Sequence, residues 1–408
     1  MKPVRRPGRW LLAAALVAWT AGGLAAPLVA EPRASDAPAT AGAPARLPGG
    51  QPGGTGLLGV QPGGIGVLGV QPGGTGLLRD CKPWVPRGLS FFGRLLPAER
   101  VADPSTGAAR ERYQAMALPL ARAIGADVVR LQIGQPFLDP QSPEYDKGYL
   151  DQVREAVSQA RRAGFSVILS LQWEGRTGVK PVEMLPKASA LRAWAATAPA
   201  FADDLGVAFE LFNEPASPPN PGPGVWEAWR AGHQALIDML RQRGLRQLLI
   251  VDGLRGAQRL DGAPPLRDPL GQLAYGVHPY FGEEDNSPAG WDQRFGRFAA
   301  QHPVIVTEWG HAARHCERGG ADTAAQLLDY LAERRIGVVA YGADEIHSRI
   351  LRWEGERPVW SSYRGRPCQG GAAGPGELIH DWFTQRARDS DKAPALSAAA
   401  CERPALAR

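Results

Sequence analysis

From Cys81 onward the chain alternates eight times between a short apolar run and a longer amphipathic stretch, and no other feature of its 408 residues restricts the fold as much. The runs cover 88–92, 126–133, 166–172, 207–213, 247–251, 273–279, 304–308 and 337–343. Continuous apolar runs of this length are the pattern of parallel strands buried on both faces. Between them, apolar residues recur at helical spacing: Leu150, Val153 and Val157; Trp226, Trp229, His233, Leu236 and Leu240; Ala324, Leu327, Leu328 and Leu331. Two connections break the pattern. Pro119 shortens or kinks the first helix, and the stretch between the fifth and sixth runs is too irregular for a full one. Eight strand and helix alternations predict a single (β/α)8 barrel of the TIM type over residues 81–390, with a tail at 391–408. No GxGxxG or Walker pattern follows a strand, which disfavours an open nucleotide-binding sheet.

What precedes the barrel has a different texture. Lys2, Arg5, Arg6 and Arg9 lead into an apolar run starting at Trp10 and then into small residues, the order of a secretory signal over 1–30. An uncleaved anchor helix is the alternative, since the apolar character extends weakly to Ala30. Residues 31–80 are rich in Ala and Pro, then in Gly and Pro, with three imperfect copies of QPGGTGLLGV beginning at Gln51, Gln61 and Gln71. Such a segment buries too little apolar surface to offset its ordering entropy, so a disordered linker is expected, with an adhesive or assembly repeat as the alternative. A pI near 9.1 and a charge of +5 invite a nucleic-acid reading. Residues 1–30 contain four cations and no acid, so the mature chain carries only +1, and nucleic acid is not expected as a partner. The predicted location is secreted or periplasmic, with no stable membrane partner once the signal is cleaved.

In a (β/α)8 barrel the chemistry sits at the carboxyl ends of the strands. Those ends are polar: Arg130 and Gln132 in the second run, Gln172-Trp173-Glu174 after the third, Asn213-Glu214-Pro215 after the fourth. The sixth ends in His278-Pro279-Tyr280, the seventh in Thr307-Glu308-Trp309-Gly310, and the eighth in Tyr341 followed by Asp344. Glu214 and Glu308 each follow a run of buried-type residues, where a carboxylate is costly without partners. Paired carboxylates on a rigid rim are what glycosidic cleavage requires, one as acid and one as nucleophile. Trp173, Trp309, Tyr280 and Asn213 beside them offer flat apolar platforms and hydrogen bonds for sugars.

Arg130, Asn213-Glu214-Pro215, His278-Pro279-Tyr280 and Glu308-Trp309-Gly310, in this order, resemble glycoside hydrolase family 5, the cellulase-type family, over residues 82–385. The resemblance implies a retaining double displacement with Glu214 as general acid/base and Glu308 as nucleophile, their carboxyl groups ~5 to 5.5 Å apart. It further implies that Asn213 bonds the sugar 2-hydroxyl, that Arg130 and Tyr280 orient Glu308, and that His278 lines the cleft. Two positions depart from the family: Gln172 stands where a histidine is usual, and Tyr341 is the nearest match to a tryptophan beneath the sugar. Gln172, Trp173, Trp309 and Tyr341 are therefore substrate-binding candidates. The implied protein is a monomer that needs no cofactor and acts on β-linked glucan, with β-mannan as rival substrate. Transglycosylation of an envelope glucan uses the same pair, and a non-catalytic carbohydrate-binding or adhesive surface protein is the alternative of another class.

Other residues have plainer readings. Trp226 and Trp229 are expected to pack a helix face, while Trp353 and Trp360 after the eighth strand are candidates for extending the cleft. His311, His315 and Cys316 lack a second ligand pair, so no metal is expected. Cys316 and Cys368 follow the seventh and eighth strands on the catalytic face, whereas Cys81 and Cys401 lie toward the opposite one. Two disulfides, Cys316 with Cys368 and Cys81 with Cys401, respect that arrangement.

Overall fold

The computed structural model describes residues 66–100, 118–173, 175–280, 285–310, 320–343, 350–354, 357–362 and 374–390. Three short strands come first: β1 (Leu68–Val70), β2 (Leu77–Arg79) and β3 (Lys82–Trp84). Then follow β4 (Arg87–Phe91), β5 (Val128–Gly134), β6 (Ser166–Gln172), β7 (Val207–Glu210), β8 (Leu249–Asp252), β9 (Leu273–Val277), β10 (Val304–Trp309) and β11 (Gly337–Tyr341). These eight form a closed parallel barrel in which β11 pairs with β4, as the sequence predicts. An antiparallel hairpin, β12 (Leu351–Glu354) and β13 (Arg357–Trp360), follows the last barrel strand.

The helices obey their periodicity. In Tyr149–Arg162, Val153 and Val157 are buried; in Pro223–Gln242, Trp226, Trp229, His233, Leu236 and Leu240 are; in Gly320–Glu333, so are Ala324, Leu327, Leu328 and Leu331. Gly164 and Gly244 take φ of +83° and +79° just past two of these helices, where a left-handed residue lets the last carbonyls find amide donors. The described part of the first helix is Leu118–Ala123, and the connection after β8 carries only the irregular turn Leu254–Ala257. No helix among the described residues is long and apolar enough to cross a membrane.

The linker expectation over 31–80 fails at its C-terminal end. The end of the second repeat copy and the third, 66–80, fold: Gln71–Gly76 is a tight turn closed by Gln71 and Gly76, and β1, β2 and the following β3 form an antiparallel sheet. Leu68, Val70, Leu77 and Trp84 pack on Val128, Ile168, Ala208, Ile250, Ala274, Ile305 and Val339 from the barrel strands. The outer amides of β1 are also used, Leu68 on Leu205 O at 2.9 Å and Val70 on Gln272 Oε1 at 3.0 Å. Average composition suggested disorder, yet the apolar residues that punctuate the glycines are enough to cap the amino end of the barrel. Full burial of each is worth about 1.5–3 kcal/mol.

Candidate active site

Along the barrel strands alternate side chains point inward. Above the apolar layer capped by the hairpin lies a polar one: Ser90 on β4, Arg130 on β5, Ser170 on β6, Glu210 on β7 and Asp252 on β8, each with no exposed surface. Arg130 organises it. Its guanidinium donates to both oxygens of Glu210 (2.6 and 2.7 Å), to Ser170 Oγ (2.8 Å), to Ser90 Oγ (3.2 Å), to Asn213 Oδ1 (2.7 Å) and to Glu308 Oε1 (2.6 Å). Burial by itself lowers the pKa of Arg130, but Glu210 and Glu308 outweigh it and raise the value well above normal, so this cation is permanent.

Glu308 owes its aim to a break in β10. Strict alternation from the inward Ile305 places Thr307 and Trp309 inside and Glu308 outside. Between Val306 and Trp309 the register against β11 shifts, so that both Thr307 and Glu308 face the barrel interior. Besides Arg130, Glu308 accepts from the Tyr280 hydroxyl at 2.8 Å and from Gln132 Nε2 at 3.4 Å. Burial first, then Glu308, Tyr341 and Glu214, push the Tyr280 phenol well above its ordinary pKa, which keeps it a donor.

Glu214 stands across the cleft, its side chain 36% exposed against 6% for Glu308. Its backbone φ is +49°, a left-handed conformation that swings the carboxyl off the end of the β7 run. Oε1 lies 2.9 Å from His278 Nδ1, and His278 Nε2 lies 3.0 Å from Thr307 Oγ1. Burial disfavours the imidazolium, yet Glu308, Asp252 and Glu214 together raise His278 to about 9. One oxygen each of Glu214 and Glu308 and a ring nitrogen of His278 all fall within 4.8 Å of one another, so the two carboxyl groups face each other at close range. Glu210, Asp252 and His278 make a second such cluster. Either has metal-ligand chemistry in its donors, but Arg130 and Tyr280 occupy the Glu308 oxygens, and the guanidinium would oppose a further cation.

The structure thus brings together Arg130, Asn213, Glu214, His278, Tyr280 and Glu308. Tyr341 is 8% exposed and meets Tyr280 edge-on at 6.5 Å. Trp173 is half-buried, with Nε1 on Val179 O. Two candidates are corrected. Trp309 has no exposed surface and packs in the outer core, because the register shift that turns Glu308 inward turns it outward, so it presents no face to a sugar. Gln172 is likewise fully buried, bonded to Ser170 Oγ, beneath the cleft surface and not on it. Trp226 and Trp229 stack edge-on at 5.4 Å on the helix, as expected. Trp360 packs on the His380 ring 5.1 Å away, on the final helix. Cys81 is not a free thiol. Its expected partner Cys401, together with Cys316, Cys368, Glu174, His311, His315, Asp344 and the signal segment, lies outside the described residues, as does the Trp353 side chain.

Sequence reasoning missed Glu210, Asp252, Ser90, Ser170 and Thr307. The signal for Glu210 was present: an acid inside a fully apolar run needs a buried cation, and Arg130 was the cation available.

Comparison with known proteins agrees with this geometry. The family model for cellulase (glycosyl hydrolase family 5) matches residues 101–345. Among solved structures, the chain is similar to an endocellulase from Pyrococcus horikoshii complexed with cellotetraose, at 17% identity over 80% of this chain and 99% of that one, TM-score 0.57. A thermostable, halotolerant GH5 cellulase from an Icelandic hot spring isolate gives 20% identity over 79% and 94%, TM-score 0.58. A β-glucanase from Saccharophagus degradans gives 17% over 80% and 94%, TM-score 0.54. No curated protein sequence matches this one.

Proposed function

The chain belongs to the cellulase family, glycosyl hydrolase family 5, and is a glycosidase that hydrolyses O-glycosyl bonds, and from that premise we propose that it cleaves β-linked glucan by a retaining double displacement. The supporting observation is the approach of the Glu214 and Glu308 carboxyl groups to within 4.8 Å, in contrasting surroundings. Glu308, between a permanent cation and a phenol donor, is the nucleophile. Its oxygen bonds to the anomeric carbon as the glycosidic C–O bond breaks, and the departing oxygen takes the proton of Glu214. In the second half Glu214 removes a proton from water, whose oxygen displaces Glu308 from the anomeric carbon. Asn213, fixed by Arg130, presents its amide to the sugar 2-hydroxyl.

Similarity to an endocellulase with cellotetraose and to a β-glucanase supports β-glucan over β-mannan as substrate. Export to the periplasm or medium belongs to the same reading, on the order of cations, apolar run and small residues in 1–30. So does a Cys81–Cys401 and Cys316–Cys368 pairing, which an oxidising compartment permits. The test is a polysaccharide panel with product sizing and anomer analysis on the wild type and Glu308→Gln. Shortened β-glucan products of retained configuration, lost in the variant, are expected; inverted products, or hydrolysis undiminished in Glu308→Gln, overturn the assignment.

A further inference from the structure

One carboxyl of the polar layer has no part in the reaction above. Asp252 ends β8, is wholly buried, and its Oδ2 accepts the backbone amide of Glu214 at 3.2 Å while lying 3.7 Å from His278 Nε2. Among the described residues Oδ1 has no hydrogen-bond partner. Burial and the nearby Glu210 hold this carboxyl well above the ordinary carboxylate range, against the pull of His278 and Arg130. The amide it holds belongs to a residue with φ of +49°, a conformation disfavoured for any side chain with a Cβ. Such strain persists only where the surroundings over-determine it.

Those surroundings start at Asp252. The turn that follows has three successive left-handed residues, Arg255, Gly256 and Ala257, with φ of 60°, 65° and 58°. Gly256 N donates to Pro215 O at 3.0 Å, and His278 N donates to Ala257 O at 2.7 Å. The backbone on the far side of Glu214 and the backbone of its imidazole partner are therefore tied to one strained turn, with Asp252 at its root. On the adjacent strand β9, Gly276 is the register partner of Asp252 and leaves the space that it fills: a Cβ there would meet Oδ1 at 2.0 Å and Thr307 Oγ1 at 2.9 Å.

We propose that Asp252 is a positioning residue for the acid/base, holding Glu214 in its left-handed conformation so that the carboxyl meets His278 and the departing oxygen. This rests on the assignment of Glu214 as proton donor. A merely structural Asp252 would affect every substrate alike, whereas one acting through Glu214 affects only bonds whose leaving group needs a proton.

The experiment compares kcat/KM of the full-length protein on cellotetraose and on dinitrophenyl β-cellobioside, whose leaving group departs without protonation. Asp252→Ala is expected to lose about 10²-fold on cellotetraose, the lower end of general-acid catalysis, and only a few-fold on the aryl glycoside. Asp252→Asn, which keeps an oxygen for the Glu214 amide, is expected to recover most of the loss. If Asp252→Ala does not fold, Asp252→Ser, which leaves a polar group in the layer but is one bond shorter toward the Glu214 amide, carries the same expectation. An equal loss on both substrates, or none on either, overturns the inference. A wild type that cleaves neither substrate overturns the β-glucan reading and this inference with it; a wild type active on both and matched by the variants overturns only this one.

Discussion

His278 should make folding stability fall with alkaline pH, by an amount the site fixes. Its side chain is fully buried, and against the cost of burial Glu308, Asp252 and Glu214 raise its pKa from 6.5 to about 9. Because the folded-state value is the higher one, the folded protein binds the proton more tightly than the unfolded chain does. The contribution is fully present below pH 6.5 and is lost as pH rises through about 9. At 1.36 kcal/mol per decade of proton affinity, the window corresponds to roughly 3 kcal/mol. The perturbation is His278→Asn, whose amide nitrogen can take the place of Nδ1 toward Glu214 but does not titrate. Urea unfolding of both proteins between pH 6 and 9.5 gives the difference in ΔG at each pH, and carboxyl and phenol titrations common to both largely cancel. The wild type should lose about 3 kcal/mol relative to the variant across that window. Stability curves that run parallel, or a wild type that gains on the variant as pH rises, would refute the charged, buried His278 deduced from its neighbours.

Other outcomes follow from the same residues. Arg130→Met leaves Glu210 and Glu308 buried without their cation and should cost about 3–5 kcal/mol in denaturant unfolding, with part recovered by adding Glu210→Gln. Leu77→Ala, in the hairpin that caps the barrel, should cost about 2–5 kcal/mol without altering KM, measured by unfolding and steady-state kinetics. Trp309→Phe should lower Tm and leave KM for oligosaccharides unchanged, since the ring faces the outer core; a selective rise in KM would return it to the cleft.

The barrel and the polar residues at its strand ends were legible because both depend on local pattern. Eight buried runs predict eight strands, and Arg130, Asn213, Glu214, His278, Tyr280 and Glu308 sit where strand ends put them. What the pattern hides is direction. Trp309 read as a sugar platform because it adjoins Glu308, and a register shift against β11 decides which of the two faces inward. A shift of that kind arises from pairing between strands, so no inspection of VIVTEW by itself reveals it. The folded repeat segment, 66–80, was hidden for the opposite reason. Its glycines and prolines dominate any average, while Leu68, Val70, Leu77 and Trp84, which hold it to the barrel, are few and gain their burial only from strands far along the chain.

The buried polar layer also gives the two carboxyl groups different partners at close range. Arg130 spans Glu210 and Glu308 within one guanidinium, so Glu308, the proposed nucleophile, is compensated by a cation that is itself fixed by a second acid and two serines. On the other side, Glu214, the proposed acid/base, meets an imidazole that Thr307 and Asp252 flank from below. Removing Glu210 should therefore act on Glu308 through Arg130: with one acid gone, the guanidinium is free to rotate within the layer, and the orientation of the nucleophile is lost before its charge is. Glu210→Gln keeps the shape and one acceptor oxygen, so it should lower kcat/KM on the aryl glycoside as well as on cellotetraose. That is the leaving-group-independent signature opposite to the one expected for Asp252→Ala, and the same pair of substrates tells the two halves of the layer apart.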